Sequence, residues 1–288
     1  VGRIDLHTHS NISDGLLSPW SLVRAAADEG LVAVSVVDHD TVEGTDEALR
    51  AGEEFDIELV PGVELSVDNE DGSMHLLGYY IDHCHSGLTR NLLDLKRFRE
   101  DRNEKIIDRL NELGYRIRLE DVMKLSPEGT YGRAHIAGAL VAAGFFRNVS
   151  TAFDKLLNRG GPAYIDRRRV RLEEAIELIH DAGGVAVWAH PGTHGEDRME
   201  ELLTRLSKWK EFGLDGVESD YCDHTIALRD RLRDLAREHG LIYTGGSDFH
   251  GSIKPDNLLG RGPEGSDIDE ECLYELKRRV RARIKSCS

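Results

Sequence analysis

Apolar residues along this chain fall into two kinds of run, short β-branched or alternating stretches and longer segments with a helical period. The two kinds alternate, which is the pattern of an α/β architecture. Residues 3–7 read as a short strand. Ser18-Pro19 reads as an N-cap and first helical residue, and Gly30 as the stop of the helix they open. A buried β-branched run at 32–37 ends at Asp38-His39-Asp40, and a helix over 45–54 leads into a strand at 58–66. The segment Asp68-Asn69-Glu70-Asp71-Gly72 is turn chemistry, so the strand at 73–81 returns antiparallel to the one before it. Strands at 185–190, 215–220 and 241–247 follow, separated by helices over 197–212 and 226–239 with Gly213 and Gly240 at their stops. A final helix covers 270–284. Seven core strands result, one short of the eight-stranded (βα) barrel.

Between about residue 90 and residue 171 the strand pattern disappears. Residues 92–113, closed by Gly114, together with 134–143 and 151–158, read as helices. The expected organisation is a barrel in two parts, residues 1–89 and 172–288, with residues 90–171 as a helical insertion standing over its mouth as a substrate cap. No period of 20–50 residues repeats, and there is no low-complexity tract.

A length of 288 residues suits one large domain or a barrel with an insertion. With 40% apolar and 31% charged residues there is ample material for a core. The longest nearly apolar run, 136–146, falls short of the roughly 18 residues that a bilayer requires. No basic n-region with an apolar h-region opens the sequence, so the expected location is cytoplasmic. Cys84, Cys222, Cys272 and Cys287 are scattered without a CxxC pair and read as reduced thiols. A net charge of −16 argues against broad nucleic-acid or anionic-membrane binding, but bound cations can reverse that sign locally for a small phosphorylated substrate. No protein partner is implied.

Position turns scattered histidines and acids into a candidate site. His7 and His9 follow the first strand and share a face, with Asp14 in the loop behind them. His39 ends the second strand, Glu64 lies near the end of the third, His190 ends the fifth, and Asp248 and His250 end the seventh. His75 begins its strand, but a two- or four-residue hairpin loop sets it opposite Asp68 or Ser66, back at the same rim. Barrel active sites are built on that rim. Six imidazoles and three carboxylates are poor core material unless they bind metal, and a mixed nitrogen and oxygen set suits Zn, Mn or Fe better than Mg or Ca.

Asp5-Leu6-His7-Thr8-His9-Ser10, Ser13-Asp14-Gly15, Asp38-His39-Asp40-Thr41, Pro61-Gly62-Val63-Glu64, His75-Leu76-Leu77-Gly78, Ala189-His190-Pro191-Gly192 and Gly246-Ser247-Asp248-Phe249-His250 resemble the motifs of the PHP (polymerase and histidinol phosphatase) family. The resemblance covers the whole chain. It implies a distorted seven-stranded TIM-like (βα) barrel with a trinuclear centre: His7, His9, Glu64 and Asp248 on one metal, Glu64 bridging to a second held by His75 and His190, and Asp14, His39 and His250 on a third. Gly132-Arg133-Ala134-His135-Ile136-Ala137 and Gly160-Gly161-Pro162-Ala163-Tyr164-Ile165 look like the stand-alone nucleotide phosphoesterase branch, although Ala134 stands where that branch usually has proline. That branch includes 3′,5′-nucleotide bisphosphate phosphatases and 5′→3′ exoribonucleases of short RNA.

The expected reaction is metal-activated hydroxide attack on the phosphorus of a nucleotide or short oligoribonucleotide, with phosphate as a product. Asp40 and His224 are candidate proton relays. Arg133 and His135 are candidates for gripping a second phosphate, with Glu218 and His224 facing the substrate from the sixth strand. Arg167, Arg168, Arg169 and Arg171 read as a solvated loop or an electrostatic lip. His83-Cys84-His85 reads as loop, His194 as bordering the pocket, and His180 and His239 as structural groups near helix C-termini. The rival readings are a histidinol-phosphate phosphatase, which would not need the insertion, and a non-catalytic metal-stabilised module.

Overall fold

The computed structural model describes residues 2–69, 72–125, 131–166 and 168–286. The chain forms two compact units, Val1–Arg90 with Val170–Ser288, and Asn91–Arg169.

In the first unit, β1 (Arg3–Thr8), β2 (Leu31–Val36) and β3 (Glu58–Leu59) form a parallel sheet. A second sheet runs in the order β6 (Val170–Arg171), β4 (Gly62–Asn69), β5 (Gly72–Tyr79), β7 (Val185–Trp188), β8 (Gly216–Tyr221) and β9 (Ile242–Gly246). β5 is antiparallel to both of its neighbours, and the remaining pairs are parallel.

The expected single strand at 58–66 is two strands in two sheets. Val60 still donates to Val34 O at 2.9 Å, but Pro61 has no N–H to continue a ladder, and the chain crosses to the second sheet there. Gly62 fits the crossing because a Cβ would lie 2.7 Å from Val37 Cγ1 and 2.9 Å from Gly78 O. His39 and Glu64 form a bridge at this seam, and Thr8 and Phe249 form one at the other. At that second seam Gly246 lies so close to His7 that a Cβ would meet His7 Cβ at 2.1 Å, so β9 delivers its end directly beside β1.

α1 (Pro19–Asp28) starts where Ser18 Oγ accepts from Ser21 N, and Leu22, Val23 and Ala26 pack with Val34, Val36 and residues of α2 (Thr45–Phe55). Ser66 pairs with His75 and Asn69 with Gly72; the turn residues Glu70 and Asp71 lie outside the described residues. α7 (Leu172–Asp181) precedes β7, and the helix expected over 197–212 is broken into α8 (Glu196–Leu203) and α9 (Leu206–Glu211). The break falls at Thr204, whose hydroxyl donates back to Glu201 O at 2.6 Å and competes with the helical ladder. α10 (Ile226–Glu238) and α11 (Glu271–Ser286) complete this unit. No helix among the described residues is long and apolar enough to cross a membrane.

The second unit is helical. It contains most of α3 (Ser86–Glu112), with α4 (Leu119–Met123), α5 (Arg133–Ala142) and α6 (Val149–Ala152). Its own core includes Ile106, Leu110, Ile117, Val122, Ile136, Leu140 and Leu157. The helix expected over 151–158 widens after one turn into a π-turn, Phe153–Leu157, and Leu156 O accepts from Ala163 N at 3.0 Å.

Candidate metal centre

Period-two alternation places Asp5, His7 and His9 on one side of β1 and its continuation. Asp5 anchors the row. Its Oδ1 accepts from His7 N (3.2 Å) and Ser247 N (3.0 Å), and its Oδ2 from Ser247 Oγ (2.6 Å) and Gly260 N (2.8 Å). Burial pushes its carboxyl up to about 6, against those hydrogen bonds. Asp38 braces the next loop, accepting from Ser10 N (2.8 Å), Ser10 Oγ (2.6 Å) and Ser13 Oγ (2.7 Å), and so positions Asp14.

Glu64, 1% exposed, is the hub of the site. Its Oε1 lies 2.9 Å from His75 Nδ1 and 3.0 Å from His190 Nε2. Its Oε2 lies 3.0 Å from His39 Nδ1, 3.2 Å from His9 Nε2 and 3.5 Å from His7 Nε2. Asp248 Oδ1 stands 3.3 Å from His9 Nε2 and 3.7 Å from His7 Nε2, and Asp14 Oδ1 stands 3.2 Å from His250 Nε2. The structure brings all nine candidate ligands together. Their donor atoms fall into four overlapping groups, each within 4.8 Å: His9, Asp14, His39 and His250; His7, Glu64 and His190; His7, His9 and Asp248; His39, Glu64 and His75.

These atoms crowd without satisfying one another. His7 Nε2, both nitrogens of His9, His39 Nδ1, His250 Nε2 and Glu64 Oε2 are buried and make no hydrogen bond. Orphaned buried polar atoms are costly and rare, and a cation at their meeting point is the chemistry that satisfies them together. The outward ring nitrogens support this. His7 Nδ1 donates to Glu218 Oε1 at 2.9 Å, and His250 Nδ1 donates to Asp248 O at 2.8 Å. Thr193 Oγ1 donates to the His190 carbonyl and therefore accepts from His190 Nδ1. In all three histidines the partner holds a proton on Nδ1 and turns Nε2 inward, the nitrogen that a metal would take.

Electrostatics point the same way. Burial alone would lower the His9 imidazole, but Asp248 and Glu64 outweigh it and raise it to about 10. Burial would raise Glu64, yet His39, His75 and His7 hold it well below the usual carboxylate range. His75 is pushed down to about 4, by burial first and by His39 and His190, with Glu64 opposing. A divalent cation would take the place of the protons that the carboxylates otherwise attract. Asp40, His190 and Asp248 have φ of 52°, 32° and 53°, left-handed backbone that non-glycine residues rarely adopt and that concentrates at functional sites.

Glu218 and His224 are both buried and hydrogen-bonded. Glu218 is fully buried; one oxygen accepts from His7 Nδ1 and the other from His190 N at 2.8 Å, so it braces two of the candidate ligands. His224 is 3% exposed, its Nδ1 donating to Ser219 O (2.8 Å) and its Nε2 accepting from Gly192 N (3.1 Å). Both nitrogens are engaged, and Nε2 clamps the turn Pro191–His194 that follows His190. Asp40 accepts from Ser66 N at 2.8 Å. Arg133 and His135 belong to the helical unit, where Arg133 donates to Leu157 O and His135 Nδ1 accepts from Gly132 N at the start of α5.

The sequence reading missed Tyr221 and Lys254, which donate to Asp248 Oδ2 at 2.9 and 2.6 Å and leave Oδ1 as the inward atom. It also passed over Asp5 and Asp38, although each stands in a quoted motif and Asp5 has the parity of His7. Arg167 lies outside the described residues. Asp82, His83 and Cys84 bring donor atoms within 4.8 Å on an exposed loop, with His83 paired to Asp46 at 2.8 Å. His180 pairs with Asp215 at 2.8 Å.

A mixed α/β unit whose strand ends gather imidazoles and carboxylates in this way has the makings of a metal-dependent hydrolase. The chain belongs to the PHP family, whose domain matches residues 5–182. It is 37% identical over 250 residues to a 5′-3′ exoribonuclease of Haemophilus influenzae, covering 86% of this chain and 90% of that protein. It is 31% identical over 283 residues to a 3′,5′-nucleoside bisphosphate phosphatase of Chromobacterium violaceum, covering 97% and 98%. A solved structure from Bifidobacterium adolescentis, assigned as a metal-dependent phosphoesterase, superposes with a TM-score of 0.82 at 34% identity over 96% of each chain. The chain is a hydrolase of the metal-dependent phosphoesterase type.

Proposed function

We propose that this phosphoesterase acts on nucleotides in the cytoplasm, removing the 3′-phosphate of 3′,5′-nucleotide bisphosphates, trimming short RNA from its 5′ end, or both. The observation that carries the reading is the Glu64 carboxylate, with one oxygen facing His75 and His190 and the other facing His7, His9 and His39. Relatives above 30% identity that act on nucleoside bisphosphates or RNA support the substrate class.

About three divalent ions (Mn, Fe or Zn) are proposed. His7, His9, Glu64 and Asp248 would hold the first, Glu64, His75 and His190 the second, and Asp14, His39 and His250 the third. When bound, such ions neutralise phosphoryl charge and lower the pKa of water towards about 7. The protein's own part is orientation. Glu218 fixes His7 and His190, His224 holds the turn after His190, and Tyr221 with Lys254 turns Asp248 Oδ1 inward. Asp40 is the proposed proton carrier. Arg133 and His135 are the proposed grip for a second phosphate; the Arg133 guanidinium lies 5.5 Å from the Tyr164 ring centroid and is steadied there. We read the two sheets, meeting at the His7–Gly246 and His39–Glu64 seams, as one distorted barrel.

The test is release of phosphate or mononucleotide, with Mn added, from 3′,5′-adenosine bisphosphate, histidinol phosphate and a 5′-phosphorylated oligoribonucleotide. Turnover of the first or third is expected. Turnover of histidinol phosphate alone would replace the substrate class, and no turnover of any would indicate a non-catalytic module.

A further inference from the structure

The chain's charge is divided unevenly between its two units. Residues 91–169 carry 16 of the 37 lysines and arginines but only 11 of the 53 acidic residues, a net of +5, which leaves −21 on the rest. A basic unit in so acidic a chain attracts polyanions where the remainder repels them. Within it α3 leaves Phe98 39% exposed, and the Arg168 guanidinium carbon sits 4.2 Å from the Phe98 ring centroid. Among the described residues no carboxylate pairs with Arg168. An exposed phenylalanine alone is ordinary. An exposed ring held against an exposed, unneutralised guanidinium, in a unit of net positive charge, is the kind of pair on which unpaired nucleobases stack while the cation meets the backbone.

We infer that Phe98 and Arg168 form a stacking platform for a base of a single-stranded oligoribonucleotide. The inference rests on the nucleotide reading above and narrows it towards RNA, because a mononucleotide offers one base and few charges whereas an oligomer offers a row of both. It also gives the helical unit a binding role that depends on substrate length.

Kinetics of the full-length protein with a 5′-phosphorylated oligoribonucleotide and with 3′,5′-adenosine bisphosphate test this. Phe98→Ala should raise KM for the oligomer about tenfold and leave the bisphosphate unchanged. Phe98→Trp should keep the wild-type value, separating loss of the ring from loss of the fold. Arg168→Gln should raise the oligomer KM and flatten its log–log dependence on salt by about 0.7. An oligomer KM unmoved by Phe98→Ala, or one that rises in step with the bisphosphate KM, overturns the platform. Wild-type turnover of the bisphosphate without the oligomer overturns the platform and leaves the phosphatase reading standing. Turnover of neither removes both.

Discussion

Glu64 on β4 and Asp220 on β8 are equally hidden carboxylates, 1% and 2% exposed, and they are satisfied in opposite ways. Asp220 is closed off. Arg233 Nη2 and Nε donate to its two oxygens at 2.7 and 3.0 Å, Ser219 Oγ donates at 2.5 Å, and the guanidinium rests over Tyr243 at 4.7 Å. Glu64 faces five imidazoles at similar distances, yet its Oε2 makes no hydrogen bond and three of the rings, His7, His9 and His39, keep an orphaned nitrogen. Burial therefore does not mark the site. Convergence of donors that cannot satisfy each other does, because such a set is stable only with a cation to share.

Exchanging the two acids' neutral forms should separate the roles. Glu64→Gln should fold and lose about 10³-fold or more in turnover, together with bound metal measured by elemental analysis. Retained metal and rate would erase the contrast. Asp220→Ala should lose about 3–5 kcal/mol of stability in denaturant titrations, because it strands a largely buried guanidinium, while the folded fraction keeps its metal and its rate. Glu218→Gln tests the support behind the ligands. It should weaken metal affinity about 10–100-fold without a comparable loss of stability.

The smallest expected effect is with pH. In metal-free protein His9 is raised to about 10, and against burial Glu218 and Glu64 hold His7 well above its ordinary value, so both are protonated at neutral pH. Metal must displace a proton from each, and affinity should rise by more than about tenfold, and up to about a hundredfold, per pH unit across the neutral range. His75, held down to about 4, is already neutral and adds no slope in that range. Calorimetry in buffers of different ionisation enthalpy would count the protons released. The sign for metal-free stability is the reverse: His9's contribution is fully present below about pH 6.5 and is lost as pH rises towards 10.

Much of the centre was legible before any coordinates. Ligation restricts a position to a few residue types, and strand alternation carries His7 and His9 to one face. Turn chemistry at 68–72 sets His75 opposite Asp68 or Ser66, and β4 and β5 pair it with Ser66. The crossing at Pro61 was less legible, since a run of strand-forming residues does not say which neighbour each half will pair with. The hydrogen-bond partners of Glu218 and His224 were illegible for a related reason. Parity shows which way a side chain points, but not whether its polar atoms are already taken on arrival.

Taken by itself, the order of residues marked the candidate ligands, the strand ends that bear them and the helical interruption between them, because these follow from local periodicity and turn chemistry. Only the tertiary structure decided which nitrogen of His7 faces inward and which oxygen of Asp248 remains available. Those choices are made by Glu218, 211 positions from His7 along the chain, and by Tyr221, 27 positions from Asp248. A proton's place on a ring is set by the partner that meets it in space, and local pattern carries no record of that partner.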